Sequence, residues 1–249
     1  MKKFEAYKDN VVLPDMYIMV RLDGVGFSRL TKELGIEKPF SKFFSDCMVQ
    51  TVKTLMEEVP EIAYGYTQSD EITLVFQRDT QYFGRRPEKI ATVLAGKASS
   101  ILRFELEHSL YVHLHPSFDA RVIVMPTRQH VQENLHWRIE DSVKNCRNLL
   151  VFWGLVMGGA THSEATSRMQ NKAVGWQNDY LFVHHAINFN EVAGWKKRGS
   201  ILYRKKTVVQ GYNPMLKKAT KAIRSIIHID QEIPDVRLAP ILDYLDSTD

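Results

Sequence analysis

Between residues 17 and 125 the apolar residues switch repeatedly between a two-residue and a helical period, and this order restricts the fold more than any other feature. Tyr17 to Asp23 places Ile18, Val20 and Leu22 on one face, as a strand does. Ser41 to Glu58 then sets Phe43, Phe44, Cys47, Met48, Val52 and Leu55 at helical spacing, and Pro60 ends it. Ile62 to Tyr66 reads as a short strand, and Glu71 to Phe76 as another with Ile72, Leu74 and Phe76 alternating. Pro87 to Glu107 reads as a long helix with a proline in its first turn. Phe118 to Met125 (FDARVIVM) is a fourth strand, closed by Pro126. The order β-α-β-β-α-β is that of the ferredoxin-like split motif, an α+β sheet with helices on one face.

In that motif the strands lie in the order 4-1-3-2 with antiparallel neighbours. The end of strand 1 therefore shares a sheet edge with the turn between strands 2 and 3. Asp23 ends strand 1, in RLDGVGF, and Asp70 lies in the turn of YGYTQSDEI beside Ser69 and Glu71. Hairpin turns usually carry Asn-Gly or Asp-Gly, and this one has no glycine. The topology predicts that Asp23 and Asp70 meet, although 47 positions separate them.

Two carboxylates at an open sheet edge suit Mg²⁺, which takes oxygen ligands and is usually shared between protein and substrate phosphates. A pair of such ions can stabilise both the attacking and the leaving oxygen of a nucleotidyl transfer. Gly24 and Gly26 let the backbone after Asp23 come close to a triphosphate. Cations for that triphosphate are expected from Arg85, Arg86 and Lys89 of FGRRPEK, at a helix start, and from Lys38. No G-x-S-x-G or Walker A segment is present. The histidines of HLHP (113–116) and His184-His185 lack the companions a zinc site needs. Trp137, Trp153 and Trp176 are expected to fill the core or helix interfaces.

The 249 residues suit one large domain, with 1–126 as a catalytic core and 127–249 as a helical and basic extension packed on it. In that extension, 128 to 157 reads as helical with a break near Asp141, and Ser200 to Val209 as a strand or basic hairpin arm. The final twenty residues are acidic and expected on the surface. Net charge is only +4, but ten of the 33 Lys/Arg fall between Lys196 and Ile229, where no acid occurs. Such a segment on an otherwise acidic body is a candidate phosphate-backbone footprint, with Lys196, Lys197, Arg198, Arg204, Lys205 and Lys206 at its front. Cys47 and Cys146 have no metal or redox spacing and read as reduced, buried thiols. No apolar run is long enough for a membrane span, and MKKFEAYKDN lacks the apolar segment of a signal peptide, so a cytoplasmic protein is expected.

RLDGVGFSRL, TQSDEITLVF, FGRRPEK, FDARVIVMP and WRIEDSVKN, in that order, resemble the tRNA(His) guanylyltransferase family, with weaker similarity through GSILYRKK at 199–206. The resemblance implies a polymerase-palm-like fold and a nucleotidyltransferase that adds nucleotides to the 5′ end of tRNA, growing the strand 3′ to 5′. It implies two Mg²⁺ held by Asp23, Asp70 and the Gly24 carbonyl, with Glu71 as the adjacent catalytic acid and Ser69 its polar neighbour. It places Lys38, Arg85, Arg86 and Lys89 on triphosphates of GTP or ATP, Phe27 against a base, and Asn145 and Asn178 at positions where the family has asparagines. A homotetramer is implied as well. Eukaryotic members have a histidine where Ser28 stands, KPND where KPFS stands, and H-I-N-N-L-Y-N where VKNCRNL (143–149) stands. The chain is accordingly more similar to the prokaryotic guanylyltransferase-like proteins, which restore missing 5′ nucleotides of tRNA against a template. Addition of a single 5′ G is the alternative within the family. From the residues alone, a nucleotide cyclase and a non-catalytic RNA-binding module share the strand order; the latter requires exposed aromatics that Glu71, Thr73 and Val75 do not provide.

Overall fold

A computed structural model describes residues 10–110, 113–215 and 217–232. The acidic stretch expected on the surface lies almost wholly outside the described residues. β1 (Tyr17–Gly24), β2 (Ile62–Gln68), β3 (Glu71–Phe76) and β4 (Phe118–Met125) form the expected order 4-1-3-2, each antiparallel to its neighbours. α2 (Lys42–Glu58) and α3 (Pro87–Leu110) cover one face. α2 begins where the Ser41 hydroxyl accepts the Phe44 N–H, so the helix start is written in a single capping residue. Ile18, Val20 and Leu22 of β1 meet Met48, Val52 and Leu55 of α2 and Leu94, Ala98 and Leu102 of α3 in a fully buried layer. Burial of that apolar area is the main stabilising term for the sheet. A short helix α1 (Phe27–Glu33) follows β1 directly.

The opposite face is covered as well. α4 (Arg128–Met157) presents Val131, Leu135 and Ile139 to Tyr17, Met19, Tyr64, Tyr66 and Val75. This helix is continuous through Asp141, where a break was expected. The apolar stripe simply runs on through Ser142 and Cys146, while Asp141 points off it to Arg138 and Asn145. The far half of α4 packs on α5 (His162–Met169) and α6 (Val174–His185) around Cys146, Val151, Leu155, Ala165 and Leu181.

After α7 (Gly194–Lys197) the chain returns to the sheet. β5 (Ser200–Asn213) extends beyond the expected Val209, and β6 (Lys218–Asp230), not anticipated from the sequence, completes a hairpin and the order β4-β1-β3-β2-β5-β6. Only Ser200–Tyr203 pair with β2, so most of this hairpin runs past the sheet as a two-stranded arm. Cys47 and Cys146 are buried free thiols, and burial pushes their pKa values up to about 11 and about 12. Among the described residues, no helix is long and apolar enough to cross a membrane.

Candidate active site

The end of β1 and the β2–β3 turn meet as the strand order requires. Asp23 stands opposite Glu71 on one side and Asp119 on the other, and the Gly24 N–H donates to the Asp70 carbonyl at 3.1 Å. Gly24 is needed here because a Cβ would lie 2.5 Å from the Phe27 ring. The turn itself is tight: Ser69 adopts φ 55°, a left-handed conformation a non-glycine residue rarely takes. Its N–H donates to Gln68 Oε1, its hydroxyl donates to Asp70 Oδ1 at 2.9 Å, and Gln68 Nε2 donates to the Lys196 carbonyl at 2.8 Å. The strain is thus held by side-chain bonds around Asp70, a pattern found where a turn serves a site.

Burial raises the pKa of Asp23, and the charges of Asp70 and Asp119 add to the shift. A divalent cation between Asp23 and Asp70 would relieve that repulsion, and the two carboxylates with a backbone carbonyl are a donor set Mg²⁺ accepts when phosphate and water complete its shell. Among the described residues no group of three or more His, Cys, Asp or Glu side chains is placed to hold a metal unaided.

Asp23 and Asp70 line a cavity of about 820 Å³, large enough for a nucleotide. Its far wall comes from α4 and its partner helices, with Asn145, Asn148, Gln170 and Gln177 facing it. Asn145 lines this wall, its Nδ2 donating to Asp141 at 3.1 Å. Lys38, which follows Glu37 and precedes a cis peptide to Pro39, lines a smaller cavity of about 120 Å³ on the other side of Asp70 and donates to Thr31 Oγ1 at 2.7 Å. Ser69 lines both cavities.

Other expected site residues are placed differently. Glu71 is not a free carboxylate: Arg21 lies 3.1 Å from Oε1, and Arg138 of α4 pairs with Oε2. Burial raises its pKa while both guanidiniums oppose the shift. Phe27 is 2% exposed, its ring packed on Phe44 and Phe118, so it has no face for a base. Arg85 is buried, and its guanidinium donates to the carbonyls of Val12, Leu13, Met16, Arg78 and Thr80. These carbonyls lie near the start of β1, about 20 Å from Asp23 by strand rise, and exposed Arg86 and Lys89 sit at the same far end. The fold therefore does not bring FGRRPEK to the carboxylates: β3 carries the chain away from the turn before α3 begins.

The basic segment divides too. Lys197 is buried, donating to the Phe189 and Asn190 carbonyls, and burial lowers its pKa. Arg204 donates to the Ile62 carbonyl at 2.9 Å and to that of Met56 at the α2 C-terminus. Lys196 and Arg198 are half-buried, whereas Lys205 and Lys206 are exposed on the hairpin. Trp137, expected inside, is 51% exposed between the guanidiniums of Arg21 and Arg138. Sequence reasoning missed Arg138, Asp119 and Ser142, whose hydroxyl meets Tyr66 Oη at 2.6 Å. The signal was present in WRIEDSVKN, where Arg138, Asp141 and Asn145 recur at i, i+3 and i+7 on one helix face.

Comparison with known proteins bears on the same two regions. Residues 1–126 match the family model for tRNAHis guanylyltransferase, and residues 129–234 match its C-terminal domain. The tRNA(His) guanylyltransferase of Debaryomyces hansenii is 33% identical over 210 residues, spanning 82% of this chain and 78% of that protein. A probable tRNA(His) guanylyltransferase of Homo sapiens is 34% identical over 209 residues, 81% of this chain and 68% of its own. The crystal structure of the Saccharomyces cerevisiae enzyme superposes with a TM-score of 0.75 at 27% identity, covering 81% of this chain and 90% of that one. A bacterial tRNA(His) guanylyltransferase-like protein in complex with ATP shares the fold, with a TM-score of 0.75 at 24% identity over 98% and 96% of the two chains.

Proposed function

The chain belongs to the tRNA(His) guanylyltransferase family and is a nucleotidyltransferase, and we propose that it extends the 5′ end of tRNA in the 3′-to-5′ direction with Asp23 and Asp70 as its metal-binding carboxylates. The observation that carries this reading is the Gly24–Asp70 backbone bond, which joins the end of β1 to the β2–β3 turn so that Asp23 and Asp70 line one 820 Å³ cavity. Mg²⁺, when bound there, supplies the charge that lowers the pKa of an attacking hydroxyl and neutralises a triphosphate.

In this reading the 3′-hydroxyl of an incoming NTP attacks the α-phosphorus of an RNA 5′-triphosphate. A new P–O bond forms, the α–β phosphoanhydride breaks, and pyrophosphate leaves; with a 5′ end first activated by ATP, AMP leaves instead. Asp23 and Asp70 would hold the cations, and the Gly24 carbonyl would add a neutral oxygen. Asn145 and Gln177 offer hydrogen bonds to the nucleotide's polar edge, and Lys38 places a point charge on the other side of Asp70. Binding of GTP or ATP as the nucleotide and tRNA as the acceptor follows from the family. Exposed Lys205 and Lys206, with Lys217, Lys218, Lys221 and Arg224 on the same hairpin, would carry tRNA phosphates and make binding salt-dependent. Assembly into four copies belongs to the same reading, supported by Val208, Tyr212 and Met215, which the arm leaves 62%, 64% and 91% exposed.

The test uses a 3′-labelled, 5′-triphosphorylated tRNA lacking its first nucleotide, with Mg²⁺ and each NTP in turn. One added nucleotide matched to the opposite strand, absent with Asp70→Ala, is the expected result. Addition of G regardless of the opposite base would select the single-G activity, and no extension with RNA still bound would sink the proposal.

A further inference from the structure

The turn that carries Asp70 is tied to a distant part of the chain as well as to the sheet. Gln68 ends β2, and both ends of its amide are used. Oε1 accepts the Ser69 N–H at 2.9 Å, and Nε2 donates to the Lys196 carbonyl at 2.8 Å, 128 positions away. Ser69 in turn donates its hydroxyl to Asp70 Oδ1 at 2.9 Å. Lys196 belongs to α7, and both ends of the basic hairpin seat that helix. Before β5 the chain passes Gly199 at φ 76°, where a Cβ would lie 2.5 Å from the Thr67 carbonyl. Past β6, Glu232 Oε2 accepts the Gly194 N–H at 2.7 Å. Buried Lys197 holds α7 from below through the Phe189 and Asn190 carbonyls. Gln68 is the link between this seated helix and the turn, and Trp195 of α7 lines the 120 Å³ cavity together with Gln68, Ser69 and Asp70.

We propose that Gln68 is a positioning residue for Asp70: it holds Ser69 in its left-handed conformation and ties the turn to α7, so that the C-terminal half of the chain sets the place of this carboxylate. Left-handed backbone is unfavourable for a non-glycine residue, so Ser69 without its partner relaxes towards the ordinary regions. A relaxed turn holds Asp70 ready for a cation only part of the time, and the apparent metal affinity falls by that fraction. An amide suits the task because it accepts on one side and donates on the other, which neither a carboxylate nor an apolar chain of the same length can do. The inference rests on the reading of Asp23 and Asp70 as the metal-binding pair, and in it Gln68 acts on the cation through the turn.

The test is Mn²⁺ binding to the full chain without RNA or NTP, read from the electron paramagnetic resonance of the free ion well below the unfolding transition. Mn²⁺ takes the oxygen ligands that Mg²⁺ takes. Gln68→Met, of similar length, is expected to weaken binding about tenfold. A residue that merely closed the hairpin would lower Tm and leave the affinity in place. Gln68→Glu keeps an acceptor for Ser69 and adds a negative charge near the cation, so charge alone would tighten binding. Because a carboxylate cannot donate to the Lys196 carbonyl, the expected affinity is instead below that of the wild type. In the extension assay, the Mg²⁺ needed for half-maximal rate should rise by the same factor, with the rate at saturating Mg²⁺ changed less. Wild-type affinity in Gln68→Met, or an affinity at or above wild type in Gln68→Glu, overturns the inference. Should Gln68→Met fail to fold, Gln68→Glu decides alone. Asp70→Ala separates the two ideas. If it loses Mn²⁺ while the Gln68 variants keep it, only the positioning role is removed. If Asp70→Ala binds as the wild type does, or the wild type binds no Mn²⁺, the metal assignment and this inference fall together.

Discussion

Burial, Asp70 and Asp119 all raise the pKa of Asp23, and the sign of that shift sets its effect on stability. Above the ordinary carboxylate range the unfolded chain ionises Asp23 freely while the folded chain resists. Ionised Asp23 therefore costs stability at neutral pH, and the cost disappears as pH falls through the raised value. Asp23→Asn is expected to unfold at or above the wild-type temperature at pH 7 without Mg²⁺, with the difference closing in acid. Added Mg²⁺ should raise the transition of the wild type and leave that of Asp23→Asn in place. Thermal unfolding between pH 5 and 8 checks both, and a variant melting well below wild type would show that attractive contacts hold the carboxylate. Asp23 and Asp70 were legible in the sequence because strand order alone makes them neighbours. The ion pairing of Glu71 was not legible, because its partner Arg138 arrives on α4, from a part of the chain whose packing no local pattern fixed. Phe27 was misread for the same kind of reason, since Phe118 closes over it from β4.

At the scale of elements, the split β-α-β-β-α-β unit was legible because its periods are clean, and the second half was not. β6 (KATKAIRSIIHID) spreads charged and small residues over both faces, so it lacks the alternation a half-buried strand shows, and it is defined instead by its long pairing with β5. The segment before α3 is the sharper case. FGRRPEK reads as an anion site, yet Arg85 ties Val12, Leu13 and Met16 to the Arg78–Thr80 loop and so anchors the chain entering β1. Removing a buried cation that donates to five carbonyls strips each of them of that bond. Arg85→Ala is expected to lose at least about 3 kcal/mol in urea unfolding, while Arg86→Ala stays within about 0.5 kcal/mol. An Arg85→Ala protein of unchanged stability with a raised KM for NTP would return this residue to the triphosphate.

On the scale of the whole molecule, the cavity is built from two halves of the chain: the sheet edge supplies Asp23 and Asp70, and α4 to α6 supply Asn145, Asn148 and Gln177. The apolar contacts of Val131, Leu135 and Ile139 hold α4 to the sheet but leave its rotation loosely set, since apolar packing is not directional. Direction comes from two polar links to the sheet, the Ser142–Tyr66 hydrogen bond at 2.6 Å and Arg138, which reaches Glu71 and lies 3.6 Å from Asp141 on its own helix. Arg138→Met keeps an apolar stem but removes the guanidinium, and leaves Glu71 with Arg21 in a half-buried setting. The expected loss is roughly 3 kcal/mol, a fall of about 6–12 °C in Tm for a chain of this size. The more telling change is kinetic. Because the carboxylates stay on the sheet while Asn145 drifts with α4, KM for the nucleotide should rise several-fold with a smaller change in kcat. Arg138→Lys should rescue the stability in part and the KM poorly, since an ammonium cannot span both acids in a fixed fork. Equal losses in kcat and KM with either substitution would mean that Arg138 acts on the reacting groups directly, and that the orientation of α4 is set by something other than this ion pair.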